Sequence, residues 1–220
     1  MHPLRPGSQK EIALINYLDD KLLRITRRHA KKFSNERRDN DDTPGYTTYD
    51  EFATDIEPLI DIVWISGTPT IQIPYFLTLA GQICSYLEAF PFSTSFFPLA
   101  GKIDEGFASV LRAANNNSPG GSLPFNVSMT DKVRIKSLVE ETRVAAVNAA
   151  SASGYAASAP AISEIDSEDD DDDTDMGDDD ITVRTDEELD VLPISLRLSR
   201  VYKQTLEILG DSLTSGSLPG

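Results

Sequence analysis

Apolar residues recur at steps of three and four along most of this chain, a pattern typical of amphipathic helices. In the first stretch the apolar face consists of Ile15, Leu18, Leu22, Ile25 and His29. Ser8 and Glu11 have the capping-box spacing, so we expect this helix to begin directly after Ser8 and to run to about Phe33. No segment sustains the two-residue alternation of a strand, and the pattern therefore predicts an all-α fold.

Four more helices are predicted in the body of the chain. Thr48 and Glu51 repeat the capping-box spacing at the start of the second helix, which contains Pro58 and is expected to kink there. Pro74 suits the first turn of a third helix, which is apolar nearly all round and is therefore expected at the centre of the core. The fourth helix is amphipathic, and Thr130 is placed to cap the fifth.

An uncharged stretch from Ile62 to Leu87 is long enough to span a bilayer. Glycine, proline and polar residues divide it into two short apolar pieces, which favours a buried pair of helices over a transmembrane helix. Trp64 has the apolar Ile60 four residues before it and is expected in the core. Cys84, the single cysteine, excludes an intramolecular disulfide and is interpreted as a buried small hydrophobe rather than a reactive thiol.

Between Ile162 and Asp190 the chain carries 16 of its 36 acidic residues and a single base, Arg184. This acidic segment, residues 162–190, has a net charge of −15, which leaves only −1 of the chain's −16 for everything else. Like charges at this density repel one another and bury no apolar surface, so the acidic segment is expected to be disordered. Helical patterns lie on both sides of it, which indicates a loop rather than a tail.

These patterns predict one domain, a single helical bundle of about five to six helices with a long disordered acidic loop before the last helix. The expected division is a helical body at 8–150, a disordered Ala/Ser-rich and acidic insert at 151–190, and a C-terminal helix at 191–213 that packs on the body. This last helix is expected to open at Pro193 and to end at Gly210.

A basic cluster follows the apolar pattern of the first helix: Arg27, Arg28, Lys31, Lys32, Arg37 and Arg38. Cations in the last turns of a helix interact favourably with its dipole, so the cluster is compatible with a purely structural role. The same density of positive charge is found in nuclear-import signals and in patches that contact nucleic-acid phosphates. All three interpretations are open at the level of the sequence.

The sequence contains no recognisable catalytic or metal-binding constellation. Two histidines and one cysteine are too few for a zinc site of nitrogen and sulfur ligands within one chain, and there is no GxSxG elbow. The aspartate run lacks the glycine-containing spacing of a calcium loop. We therefore expect no enzymatic activity, no cofactor and no metal ion.

Three strings carry a resemblance to a known family: IDIVWISGTPTIQIPYFLTLA beginning at Ile60, DKVRIKSLVEETRVAAV, and RVYKQTLEILGDSL. They resemble a family of uncharacterised fungal (ascomycete) proteins to which a meiotic-recombination label is sometimes attached. The resemblance covers the helical body and the C-terminal helix, and it implies a fungal origin and an intracellular setting but no activity. A RecA-type recombinase needs a GxxxxGK[ST] loop, and the one Gly-Lys pair, Gly101-Lys102, is followed by Ile103.

The function favoured by the sequence is that of a non-enzymatic helical adaptor or complex subunit that presents its acidic loop to a basic protein partner. The alternative is a nucleic-acid-associated factor in DNA recombination or repair that uses the basic cluster. Ser163 and Ser167 each have an acid three residues after the hydroxyl, the pattern of acidophilic kinase sites, and Thr174 lies in the same acidic run; all three are possible phosphorylation sites. No membrane association is expected, and the N-terminal residues do not resemble a secretion signal, which predicts a nuclear or cytoplasmic protein.

Overall fold

The computed structural model describes residues 3–33, 43–115, 127–155 and 192–214. These residues form seven helices and no strand, which confirms the predicted all-α fold. The helices are α1 (Gln9–Lys32), α2 (Tyr49–Ile65), α3 (Pro69–Leu87), α4 (Phe96–Asn115), α5 (Met129–Ala152), α6 (Ile194–Arg200) and α7 (Lys203–Thr214). The expected disordered insert lies almost entirely outside the described residues.

Both capping boxes are present, and each differs from the ideal pattern in the same way. The hydroxyl of Ser8 accepts the backbone N–H of Glu11, and the hydroxyl of Thr48 accepts that of Glu51. In return, however, each glutamate binds the N–H of the residue before the cap, at Gly7 and at Thr47, rather than that of the cap itself. In both boxes the glutamate therefore holds the chain one residue earlier than the sequence pattern predicts.

Two predicted helix starts were wrong, one by five residues and the other by two. The third helix begins at Pro69 rather than at Pro74, because Thr68 adopts extended backbone and Pro69 occupies the first turn. The fifth helix is capped by Ser128 rather than by Thr130, and the Ser128 hydroxyl accepts the N–H of Asp131 at 3.0 Å. In each case a residue further upstream that suits a helix start, Pro69 or Ser128, lengthens the helix.

Helix α3 lies at the centre of the bundle, as its nearly all-apolar surface predicts, and packs against α2, α4 and α5. Its packing on α4 is tight, since a Cβ atom on Gly106 would lie 2.8 Å from the ring of Phe76. Cys84 is buried, as expected. Trp64 is half-buried and packs against the core from its border, so the expectation of a core position holds only in part.

The predicted C-terminal helix is two helices. Helix α6 ends at Arg200, and α7 begins at Lys203 and continues beyond Gly210 to Thr214. Between them Tyr202 has a φ of +57°, a left-handed conformation that is uncommon for a residue with a Cβ atom. Its ring is fully buried in the core, and that burial stabilises the unfavourable backbone. The break turns α7 onto α4 and α5.

Candidate interaction sites

Arg28 is the most constrained member of the basic cluster. Its Nη1 donates to Asp55 Oδ2 at 2.6 Å and its Nη2 lies 3.6 Å from Glu51, so the guanidinium joins α1 to α2. Its Cζ lies 4.1 Å from the ring centre of Tyr46, whose hydroxyl donates to the same Asp55 carboxylate at 2.8 Å. The charge of Arg28 is therefore compensated within the fold, where the side chain stabilises the contact between two helices.

The other described members of the basic cluster have different surroundings. Lys31 donates to the carbonyl of Thr43 at 2.6 Å, and the Lys32 ammonium lies 4.2 Å from the ring centre of Phe90. Arg27 is exposed to solvent. Arg37 and Arg38 lie outside the described residues, as do the possible phosphorylation sites Ser163, Ser167 and Thr174. The sequence groups these residues, but the described ones do not form one uniform surface.

His29 packs its imidazole in parallel on the ring of Tyr86, with 3.6 Å between the ring centres. Burial lowers the pKa of His29, and the positive charge of Lys32 lowers it further. The neutral form is therefore favoured, and His29 belongs to the packing between α1 and α3, as its place on the apolar stripe indicates.

The chain on either side of residues 156–191 meets at one aromatic cluster, formed by Phe92, Phe96 and Phe97. On the near side the ring of Tyr155 lies 5.8 Å from that of Phe92, and Phe92 N–H donates to the hydroxyl of Ser153 at 2.9 Å. On the far side the guanidinium of Arg197 lies 4.0 Å from the ring centre of Phe97. The rings of Phe92 and Phe97 are themselves 5.8 Å apart. The described residues on the two sides of 156–191, Tyr155 and Arg197, therefore lie at the same aromatic cluster.

The loop between α3 and α4, which contributes Phe92 to this cluster, is fastened to α2. Both Ser93 and Ser95 donate hydroxyl hydrogen bonds to the carboxylate of Asp50. These two bonds lower the pKa of Asp50, because they stabilise its charged form. This stretch, PFSTSFFP, has no role in the sequence-based expectations, although its three phenylalanines are a signal for packing.

A groove of about 490 Å³ opens beside the aromatic cluster, between α4 and the α6–α7 turn. Its apolar lining includes Phe97 and Val201, and Arg200 is exposed on its rim. Lys102, which also lines it, is held by Asp61 at 2.8 Å and by Glu57 at 2.9 Å. Asp61 therefore stabilises the contact of α2 with α4, instead of ending its helix in solvent.

Asp104 lies beneath this groove and caps α7 from another helix. Its Oδ1 accepts the backbone N–H of Thr205 at 2.8 Å and the Thr205 hydroxyl at 2.6 Å, and its Oδ2 accepts the N–H of Gln204 at 3.2 Å. Burial raises the pKa of Asp104 despite these donors. This residue is missing from the sequence-based expectations, because its partners lie about a hundred positions away.

A second groove, of about 510 Å³, runs between α3 and α5 and has an acidic rim. The residues that line it are Cys84, Ser85, Glu88, Glu140, Glu141, Val144, Ala145 and Asn148. Its three glutamates are exposed, and Lys136 lies 3.8 Å from Glu140. Val144, 60% exposed, is its most exposed apolar residue. The groove thus combines carboxylates with aliphatic surface, and the sequence analysis did not identify it.

Two kinds of site find no support in the part of the chain that the structure describes. No group of three or more histidine, cysteine or acidic side chains there is arranged to hold a metal ion. The helices of those same four ranges include none whose length and apolar surface would suit a membrane span. Interaction with other macromolecules is what the grooves and the acidic segment can support.

Three comparisons with known proteins were made, and one of them gave a match. Neither the search of curated proteins nor that of solved structures gave a match. The scan against family models matched residues 45–210 to the TFB6 family, described as subunit 11 of the general transcription factor TFIIH. The matched region contains α2 to α6 and the acidic segment, and it leaves α1 outside. Because the match covers well over half of the chain, the protein belongs to the TFB6 family of TFIIH subunits.

Proposed function

We propose that this chain is a non-enzymatic, nuclear subunit of TFIIH that docks through its helical bundle and presents its acidic segment to a basic surface of a partner. Family membership supports the role in a multiprotein complex and, through it, the nuclear location. The presentation of the acidic segment to a basic partner, called the acidic display below, is our own proposal and does not follow from family membership.

The observation that carries this proposal is that the described residues on either side of 156–191 reach the same aromatic cluster. Tyr155 precedes this stretch and Arg197 follows it, and their side chains contact Phe92 and Phe97. The acidic segment lies between these two residues in the sequence, and its net charge of −15 raises the local negative potential, which steers basic partners and increases their association rate.

The experiment compares the affinity of the natural chain and of a neutralised variant for purified TFIIH that lacks this subunit. In one variant all 16 acids of the acidic segment are replaced by Asn or Gln, with the length unchanged. We expect weaker binding and a shallower dependence of log Kd on log salt concentration, because fewer opposite charges are brought together.

Two controls belong to this experiment. A scrambled acidic segment of the same composition should bind like the natural chain, since the proposal depends on charge and not on order. Replacing Asp20 and Glu105, two exposed acids of α1 and α4, should change little. Equal affinity and equal salt dependence of the neutralised and natural chains would refute the acidic display, while the subunit role would stand on the binding itself.

A further inference from the structure

Helix α5 has two apolar faces. The buried face, which packs on α3 and the core, consists of Ile135, Val139, Thr142, Ala145, Ala146 and Ala150. Val133 and Val144 each lie two positions from a buried residue, which places them about 200° around the helix axis, on the side away from the core. They are 50% and 60% exposed, and Val147 beside them is 48% exposed. These valines make no contribution to the core.

Helix stability does not explain exposed valines. A β-branched side chain loses rotamer freedom in a helix and is less favourable there than alanine, lysine or glutamate by roughly half a kcal/mol. Single exposed aliphatic residues are common on protein surfaces and by themselves indicate nothing. Val144 differs, because it borders the groove between α3 and α5 and has a second exposed valine one turn away.

The rim of this groove specifies the charge of what would bind in it. Glu88 comes from the end of α3, and Glu140 and Glu141 come from α5. In the described parts of the chain, Glu88 and Glu141 form no ion pair, and Glu140 has only the long, exposed contact with Lys136. Three exposed carboxylates around an aliphatic strip complement lysine or arginine side chains that flank an aliphatic anchor.

We propose that the α3–α5 groove binds a basic amphipathic helix of another TFIIH subunit, whose aliphatic side chains cover Val144 in the groove and the exposed Val147 outside its lining, three residues further along α5. A groove between two neighbouring helices accommodates such a helix through anchors spaced three and four residues apart. The inference rests on the proposed subunit role but not on the acidic segment, whose flanking described residues, Tyr155 and Arg197, lie elsewhere, at the aromatic cluster.

The test uses the full chain and purified TFIIH that lacks this subunit. Val144→Asp combined with Val147→Asp should weaken binding at least tenfold, since each aspartate places an unpaired charge in the apolar contact. The matched control is Ile12→Asp combined with Leu23→Asp, which alters two equally exposed aliphatic residues on α1 and should leave Kd within twofold. Circular dichroism and the melting temperature check that each variant is folded.

Two further experiments test the charge of the partner and the location of the contact on this chain. Glu140→Lys with Glu141→Lys should also weaken binding, because like charges would face each other; unchanged or tighter binding excludes a basic partner. A thiol at Val144→Cys should react more slowly with iodoacetamide in the complex than in the free chain, and a thiol at Ile12→Cys should not.

The outcomes separate this inference from the proposed function. If the valine variant binds as tightly as the natural chain, the α3–α5 groove is not the binding site, even where neutralising the acidic segment still weakens binding. If the valine variant binds more weakly and the variant with the neutralised acidic segment does not, the groove is a binding site and the acidic segment does not contribute to binding.

Discussion

Asp104 of α4 and Thr205 of α7 join the C-terminal helix to the body of the bundle. Asp104 accepts both the backbone N–H and the hydroxyl of Thr205, and Thr205 also donates to the Asp104 carbonyl oxygen at 3.2 Å. Both residues are buried. A helix normally receives its N-cap from its own chain. Here the cap comes from another helix, so the capping of α7 and its packing on α4 depend on one carboxylate.

Removal of this carboxylate should loosen α7. We expect Asp104→Ala to lower the free energy of unfolding by about 1–3 kcal/mol, because it leaves buried donors without an acceptor. Hydrogen exchange of the amides at 203–210 should accelerate more than that of α3, since α7 loses its attachment first. Glu105→Ala, an exposed neighbour on the same helix, is the control and should change little.

Asp104 should also give the stability a particular pH dependence. Burial raises its pKa in the folded state above the ordinary aspartate value, so the folded protein binds this proton more readily than the unfolded chain. The contribution of Asp104 is therefore fully present below the ordinary pKa and is lost as the pH rises through the raised pKa. Urea unfolding of the natural chain and of Asp104→Asn across this range should show the natural chain losing stability relative to the variant. A relative gain would mean that the three donors outweigh burial.

Arg28 and Arg27 should behave differently despite their adjacency. Arg28→Ala leaves Asp55 and the buried Tyr46 without their shared cation, and we expect a loss of about 1–3 kcal/mol in unfolding free energy. Arg27→Ala, at an exposed position, should stay within about 0.5 kcal/mol. Chemical denaturation of both variants is the measurement. Equal losses would show that the Arg28 ion pair contributes nothing in solution.

Gly106 and Phe76 allow a test of close packing between α3 and α4. Gly106→Ala should destabilise the protein by about 1–3 kcal/mol, because the added methyl overlaps a fully buried ring. Gly101→Ala, one and a half turns earlier in α4, meets nothing within 4 Å and should stabilise by up to about 1 kcal/mol through helix propensity. Thermal unfolding distinguishes them by the sign of the change. A gain for both alanines would refute the steric contact.

Trp64 should report its half-buried position. Trp64→Ala should lower the free energy of unfolding by less than the roughly 3–5 kcal/mol typical of a fully buried large aromatic. Phe52→Ala, which removes a fully buried ring, should show a loss of that size. The indole emission of the folded protein should shift to the red on unfolding by less than that of an enclosed tryptophan. A cost for Trp64→Ala as large as for Phe52→Ala would place the indole in the core after all.

The possible phosphorylation sites Ser163, Ser167 and Thr174 stay predictions, as do the fungal origin and the meiotic-recombination label. The expected domain division also stays a prediction. The nucleic-acid interpretation of the basic cluster is untested, although Arg28, the member with the most contacts, is paired with acids of the same chain.

The sequence by itself determined the helical class, the first helix and the central place of α3, because each depends on periodicity and local capping. Leu18, Leu22 and Ile25 are buried where a step of three or four places them, and Ser8 caps the helix as its spacing predicts. The concentration of negative charge in the acidic segment is likewise a property of composition alone.

Only the tertiary structure decided the relationships between distant residues. The pairing of Asp104 with Thr205 and the contact of Arg197 with Phe97 each join positions far apart in sequence. The break at Tyr202 is local, but it depends on the burial of the Tyr202 ring in the core. Periodicity marks which face of a helix is apolar, but it does not say which partner covers that face. For α5 it marks the core side, and the groove lined by Val144 and Glu88 exists only because α3 packs beside it.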